Sequence, residues 1–352
     1  MAADATAELQ ELVASAVRRQ TPLQIRGSGS KDFLSRPIPG KVLNTTRHRG
    51  IVSYEPSELV ITARAGTPLQ EIEAALDDES QMLAFEPPHF GPGATLGGTL
   101  ACGLSGPRRA YAGAAKDFVL GTRIINGRAE VLRFGGEVIK NVAGYDISRL
   151  MVGAHGSLGL ILEASLKLAP KPEQEITLLQ QHTPSAGLAL VASLARRSLP
   201  VSATLVDDGK VYIRLSGSAA SVQAAYLQLG GELHEDPGFW IDLREHRLPF
   251  FQSREPLWRL SLPATSPALD LAGECLVEWG GALRWLKSQA DPAIIQQAVK
   301  IAGGHARRFD AHGQTALEHS DLPDALLQLH IRTRDAFDPH RIFNPGRMHP
   351  LL

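Results

Sequence analysis

Apolar positions along this chain fall into two regimes. From Leu23 to about Leu168 they form short runs of strand length separated by glycine-rich loops. From Ile176 onward such runs alternate with helical patterns. Ahead of both, Leu9, Leu12, Val13, Ala16 and Val17 lie at helical spacing behind Asp4 and Glu8. They predict an amphipathic helix rather than the basic region and continuous apolar run of a signal peptide. Leu59 to Ala63 is a strand, and Thr67-Pro68-Leu69-Gln70 then opens a helix, with Thr67 as cap and Gln70 completing a capping box. Phe118 to Ile125 and Ala129 to Phe134 flank Asn126-Gly127, which predicts a hairpin with a tight turn. Leu160, Leu162, Ala164, Leu166 and Leu168 alternate with Glu163, Ser165 and Lys167, the pattern of a half-buried strand.

Ala169-Pro170-Lys171-Pro172 marks a domain boundary, since two prolines interrupt both ladders and helices. Beyond it, strands at Ile176 to Leu179, Ala203 to Val206 and Val211 to Leu215 surround a helix near Ser185 to Arg197, with another helix near Ala219 to Leu229. Strands at Leu257 to Leu262, Leu276 to Trp279 and Leu283 to Leu286 then precede a helix that starts at Asp291-Pro292 and closes at Gly303-Gly304. This order predicts an α+β protein whose second part is a smaller antiparallel sheet with helices on one face. The expected division is a first domain over 1–172, a second over 173–330, and a tail over 331–352 rich in Pro and Gly that returns to the first domain.

Composition narrows the function classes. A length of 352 residues with 43% hydrophobic content suits two cores. A formal net charge of -1 supplies no basic field for nucleic acid or anionic lipid. Cys102 and Cys275 stand far apart with no ligand-spaced partner, which fits a reducing, cytoplasmic setting and neither a disulfide framework nor an iron–sulfur cluster. No stretch approaches the roughly 20 apolar residues that span a bilayer, so membrane contact is expected only peripherally, through partners.

Three loops carry candidate chemistry. Arg26-Gly27-Ser28-Gly29-Ser30-Lys31 follows the strand Leu23 to Ile25, and its small residues let successive N–H groups face an anion between two cations. Taken alone it equally reads as a glycine turn with solvated charges, and it is not a Walker A loop. Gly91 to Gly106 has almost nothing large in it, and its spacing fails the Rossmann fingerprint because the third glycine would fall on Leu96. The third block runs Lys140-Asn141-Val142-Ala143-Gly144-Tyr145-Asp146 and on through Gly153, Gly156 and Gly159. Three such loops point to one extended ligand pressed against the backbone.

Taken in order, Arg-Gly-Ser-Gly-Ser, Gly-Ala-Thr-Leu-Gly-Gly-Thr, Tyr111-x-Gly113-x-x-x-Asp117, Lys-Asn-x-Ala-Gly-Tyr-Asp and Gly-x-x-Gly-Ser-Leu-Gly resemble the PCMH-type FAD-binding domain of the vanillyl-alcohol-oxidase flavoproteins. The resemblance is dense over residues 23–170 and resumes at Phe337 to Arg347. It implies a FAD domain of two α/β subdomains plus a cap. Arg26, Gly27, Ser28, Gly29 and Ser30 would hold the pyrophosphate, while Thr95, Gly97, Gly98, Gly103, Ser105 and Gly106 would line the long axis of the flavin. Gly113 and Asp117 would belong to the same cofactor site; Gly159 and Ile161 would reach the adenosine or ring edge, and Asn344 would come back beside the ring. The first loop lacks the histidine of the covalent members, so FAD would be bound without a covalent link. His155 stands where relatives carry a glutamate.

Within the family the resemblance is greatest to the flavin subunits of glycolate-type 2-hydroxy-acid dehydrogenases. It implies a small 2-hydroxy-acid substrate, a second flavoprotein subunit, an iron–sulfur subunit and a place at the inner face of the membrane without insertion. Oxidising a hydroxy acid needs a cation for the carboxylate and a base for the hydroxyl. Arg259 and His330 are the catalytic candidates, beside Arg214, Arg284, Arg332 and His305; each also reads as an ordinary surface or hydrogen-bonded residue. No metal set is expected, since His312 and His319 fit no helical ligand spacing. The alternatives are a degenerate flavin fold kept for assembly, and a self-sufficient FAD-dependent alcohol oxidoreductase.

Overall fold

A computed structural model of the chain describes residues 3–34, 37–136, 146–309 and 322–352. It divides into two compact units: Met1–Ser105, Gly113–Lys171 and Leu322–Leu352 form the first, and Gly106–Ala112 with Pro172–Asp321 the second. The short segment Gly106–Ala112 thus leaves the first unit to pack with the second, a step no pattern in the sequence announces.

In the first unit Leu23–Arg26 and Lys41–Asn44 pair in parallel, and a separate antiparallel sheet runs in the order Ile51–Glu55, Val60–Arg64, Leu160–Lys167, Val119–Ile125, Val131–Gly135. Its central strand, Leu160–Lys167, is covered on both faces rather than half-buried. Leu160 and Leu162 pack with Leu9 and Val13 of the N-terminal helix, while Ile161 and Leu166 join the cluster around Ile72, Phe85 and Leu100. The intervening polar groups find partners on neighbouring strands, Glu163 with Arg123 at 3.0 Å and Ser165 with Thr62 at 2.8 Å. The alternation shifts at a bulge between the pairs Arg123↔Glu163 and Ile124↔Ile161, and neither face is left to solvent. Pro170 does enter a ladder, pairing with Gln81 in a bridge of two residues where a missing N–H is tolerated.

Two local expectations change. The helix Leu69–Asp78 is capped by Pro68 with no side-chain bond, because Thr67 is fully buried and its hydroxyl exchanges bonds with the N–H and C=O of Gly50. The hairpin at Asn126-Gly127 closes a longer loop: the Asn126 N–H donates to Glu130 O at 3.0 Å, its side-chain oxygen accepts from Arg128 and Glu130, and the positive φ falls on Ala129. Gly127 is small for another reason. A Cβ there would lie 2.5 Å from the Cα of Asp338, and its N–H donates to Phe337 O.

That contact places the C-terminal segment. The helix Asp324–Phe337 ends at Asp338, fully buried, whose carboxylate accepts from the N–H of Ile342 at 3.2 Å and of Phe343 at 2.8 Å. Arg334 donates to Phe343 O and sits 3.7 Å from Asp338. So fixed, the segment runs alongside the first strand, Leu23 N–H to Ile342 O at 2.7 Å and Asn344 N–H to Leu23 O at 2.9 Å.

The second unit is one antiparallel sheet of eight strands in the order Glu232–Leu233, Gln174–Gln181, Lys210–Gly217, Val201–Asp207, Glu274–Glu278, Leu283–Lys287, Leu257–Ser261, His305–Arg308. Helices Pro184–Leu194, Ala219–Leu229 and Pro292–Ile301 begin at Thr183, Ser218 and Asp291, each accepting a backbone N–H of the first turn. Two apolar clusters, around Val206, Ile213 and Val277 and around Trp258, Leu286 and Ile295, fix them to the sheet. The register Cys275↔Leu286 puts both clusters on one face. The other face carries an aromatic group in which the His246 ring stacks on Phe251 at 4.0 Å and meets Trp285 edge-on at 4.6 Å.

Burial, with a smaller push from Arg259, lowers His246 to about 3. The unfolded chain then takes up this proton as pH falls through the ordinary histidine value near 6.5, while the folded chain refuses it. Stability should fall between pH 7 and pH 5, by about 2 kcal/mol at pH 5 from this residue alone. Burial also lowers His48, which acts in the same direction. Urea midpoints at pH 7 and pH 5 should show that His246→Asn, chosen because Asn tolerates the local φ of 55°, flattens the decline; an unaltered slope would exclude His246 as its source.

Candidate functional site

The three small-residue loops of the first unit meet around one open trough. The first loop leaves the end of strand Leu23–Arg26, and the N–H groups of Gly27, Ser28 and Gly29 find no acceptor among the described residues. Three successive donors of this kind form a concavity for oxyanions. The flanking cations are spent differently from the expectation. Arg26 pairs with Asp32 at 2.6 Å, and Lys31 is buried with its ammonium on His89 O at 3.2 Å. The backbone, not these side chains, presents positive charge to the trough.

Most of the glycines answer to the chain's own packing. A Cβ at Gly27 would lie 2.5 Å from Thr95 Oγ1, one at Gly97 2.7 Å from the Cβ of Ala65, and one at Gly156 2.7 Å from Asn344 Nδ2. Gly103, at φ 64°, would meet Gly153 at 3.0 Å. The loops are therefore poor in side chains so that they can nest against each other and against the strand, which corrects the idea that each glycine faces a ligand. Gly98 is different. Only Thr95 Oγ1, at 3.2 Å, lies near its missing Cβ, and the residue lines the trough. The same Thr95 oxygen accepts the Gly98 N–H at 3.3 Å and caps the short helix Leu96–Cys102.

Of the expected cofactor residues, Arg26, Gly27, Ser28, Gly29, Ser30, Thr95, Gly97, Gly98, Gly159, Ile161 and Asn344 line this trough. Gly103, Ser105, Gly113 and Asp117 do not: Ser105 accepts the Ala115 N–H at 3.0 Å, and Asp117 accepts that of Ala114 at 2.9 Å. Gly106 belongs to the second unit, where its carbonyl accepts from Trp279 Nε1 at 3.0 Å. Thr45 and Arg347 line the trough without having been named as cofactor residues, and Cys102, His155 and Gly156, each noted in the sequence, line it too. Arg347 was legible only as part of the Asn-Pro-Gly-Arg tail; it donates to Ile25 O at 3.2 Å and reaches Asp32 at 3.5 Å. Lys140 to Tyr145, His312 and His319 lie outside the described residues.

The catalytic candidates separate. Arg259 lies on the sheet of the second unit, whereas His330 lies on the helix Asp324–Phe337 of the first and does not line the trough. Arg214 is buried against Ser202 and Trp240, and Arg284 donates to the carbonyls of Ser266, Pro267 and Gly281. Arg332 is exposed on the same helix as His330.

Asn344 was expected beside the flavin ring, but both halves of its amide are committed to the chain. Its oxygen accepts the Ile25 N–H at 2.8 Å and its nitrogen donates to His155 O at 2.6 Å. It clips the first loop to the third from a position 1% exposed. Asn344→Ala should leave two buried backbone groups without partners, a cost of about 1–3 kcal/mol for each, and should weaken FAD binding with it. Asn344→Asp, which keeps the acceptor alone, should fall between. Thermal unfolding and FAD titration together check this; wild-type FAD affinity in the Ala variant would show that the clip does not shape the trough.

Comparison with known proteins bears on this geometry. Residues 1–135 match a family described as FAD binding domain. The chain is 50% identical to glycolate oxidase subunit GlcE of Escherichia coli (strain K12), over 99% of both chains. It is 29% identical to glycolate oxidase subunit GlcD of Bacillus subtilis (strain 168), over 58% of this chain and 44% of that one. Among solved structures an alkyldihydroxyacetonephosphate synthase superposes with a TM-score of 0.66 at 16% identity, covering 96% of this chain and 75% of that one. The PCMH-type fold and FAD as cofactor follow from these matches together with the trough. With half of all residues shared along its full length, the chain belongs to the glycolate oxidase subunit GlcE family of FAD-dependent oxidoreductases.

Proposed function

We propose that this chain holds FAD non-covalently in the trough of its first unit and works as the flavin subunit of a glycolate-type 2-hydroxy-acid dehydrogenase complex, with a second flavoprotein subunit and an iron–sulfur subunit that leads to quinone. The observation that carries the reading is the first loop, where three backbone donors in a row line the trough without an acceptor among the described residues, and where Thr95 Oγ1 alone stands near the missing Cβ of Gly98. When bound, FAD supplies a two-electron acceptor for the hydride released from a substrate carbinol. The chain's own part is to hold and orient. Gly27, Ser28 and Gly29 would donate to the pyrophosphate oxygens, Gly98 would leave space for the cofactor body, and Asn344 would keep the first and third loops in register.

Onward transfer calls for partners. Two cysteines cannot ligate a cluster that needs four, and among the described residues no group of three His, Cys, Asp or Glu side chains could hold a metal. No helix among them is long and apolar enough to cross a membrane, so contact with a quinone pool would run through other subunits at the inner face of the membrane.

Purified protein should be yellow and should release its flavin to the supernatant on acid precipitation. The first loop, Arg26 to Asp32, brings no histidine to the trough, and the histidine that lines it, His155, comes from the third loop. Colour retained in the pellet would refute the non-covalent reading. Gly98→Val should abolish FAD binding and remove the stabilisation the ligand supplies by mass action, about 2.7 kcal/mol at a hundredfold excess over Kd. An unchanged flavin stoichiometry in that variant would take the trough out of the cofactor site.

Mixed anaerobically with glycolate or D-lactate, the FAD-replete chain alone should bleach its flavin far more slowly than the assembled complex turns over. Bleaching at the catalytic rate would show instead that the chain oxidises substrate unaided.

A further inference from the structure

We propose that the face of the second unit's sheet that carries Arg259 holds a binding site for a small carboxylate, gripped by Arg259 with Arg109 and Arg307 beside the ring of Trp279. The site goes beyond the cofactor reading and rests on it in one respect: the carboxylate is taken to be of the 2-hydroxy-acid class that the complex would oxidise.

The strand register sets the charges together. Arg259 stands directly opposite Arg307, and Ser261 opposite His305, so all four side chains share one face. Like charges directly across a ladder repel. A third guanidinium arrives from the segment Gly106–Ala112: Arg109 lies 4.3 Å from the centroid of the Trp279 ring, and Arg259 lies 5.2 Å from it. Among the described residues Arg259 makes no ion pair; its hydrogen bond goes to Ser261 Oγ at 3.3 Å. Among the described residues the acid that acts favourably on it, Glu278, accepts from Trp285 Nε1 at 2.6 Å. Burial, and then Arg307 and Arg109, lower Arg259 to about 10, and the same guanidinium helps to lower His305. A half-buried arginine crowded by like charge is stabilised most by an anion.

The backbone beside it is held in a costly shape. Trp279, Gly280 and Gly281 all have positive φ, at 54°, 63° and 104°, and for a residue as large as Trp this is a strained conformation that persists only when its surroundings impose it. Here Trp279 Nε1 donates to Gly106 O, the Gly280 N–H donates to Thr204 Oγ1 at 3.0 Å, and Tyr111 donates to the same oxygen at 3.4 Å. The turn fixes the indole beside two guanidiniums, Arg109 and Arg259. Planar forks preset in this way match the two oxygens of a carboxylate.

Titrating the FAD-replete full chain with oxalate and with glycolate, and following tryptophan fluorescence and isothermal heat, should show saturable binding. Arg259→Gln should weaken it at least tenfold, and Arg18→Gln, on the exposed N-terminal helix, should not change it. Glycolamide, which lacks the charge, should not compete. Sulfate binding as tight as oxalate would overturn the carboxylate class, and wild-type oxalate affinity in Arg259→Gln would overturn the site. A preparation that lacks FAD yet binds oxalate through Arg259 would uphold this site while refuting the cofactor reading; a yellow preparation that does not bind oxalate would do the reverse.

Discussion

The first unit depends on a tie between the two ends of the chain. Asn344 joins the N–H of Ile25 to the C=O of His155, and those two groups begin and end the loops that form the trough. The tie is only as good as the segment that delivers it. Asp338 and Arg334, both buried, set that segment by bonding the backbone of residues 342 and 343, and Gly127 leaves room for Asp338 to sit down. A charge-assisted pair in the interior contributes little net stability by itself, but removing either partner would leave an uncompensated charge. Its consequence here is geometric: residue 344 arrives at one position, at a φ of 42°, and the loops inherit that precision.

With the tie in place the glycine pattern takes on a different meaning. Motifs in the order found here led directly to the right family and fold, because a loop stripped of side chains is unusual enough to notice. The physical reason for most of those glycines was not legible. Sequence shows that Gly97 is small but not that Ala65 stands 2.7 Å from its missing Cβ, and the Gly27 to Thr95 and Gly156 to Asn344 contacts are equally long-range. Most of the trough residues could thus be listed in advance, whereas which glycines nest against the chain required coordinates.

Elsewhere the legible features were the local ones. Alternation placed the strands, and Asp291 with its following proline announced its helix because capping is decided within four residues; Thr183 and Ser218 cap theirs by the same local bond. Thr67 misled for the converse reason. Its capping-box signature is local, but a buried hydroxyl took the stronger long-range partner, Gly50. The central strand Leu160–Lys167 looked half-buried because its polar positions really do alternate; only the neighbouring strands disclose that Glu163 and Ser165 spend their polarity sideways, on Arg123 and Thr62. Gly106–Ala112 shows the limit most clearly. Its Tyr111-x-Gly113 motif reads as part of the flavin domain, yet packing assigns Arg109 and Tyr111 to the other unit.

Charge is handled in opposite ways in the two units. In the first, each cation near the trough is already met: Arg26 and Arg347 share Asp32, and Lys31 turns inward to a carbonyl. A ligand with two phosphates would gain little from side chains so engaged, and backbone donors, which need no counter-ion, would take over the work. In the second, Arg259 is set among other guanidiniums with Glu278 turned to Trp285. A fold under selection for stability alone would not keep an arginine opposite an arginine on an eight-stranded sheet, nor hold a tryptophan in a left-handed conformation beside them. Two departures from local preference at the same place are what binding sites look like when the missing stabilisation comes from a ligand.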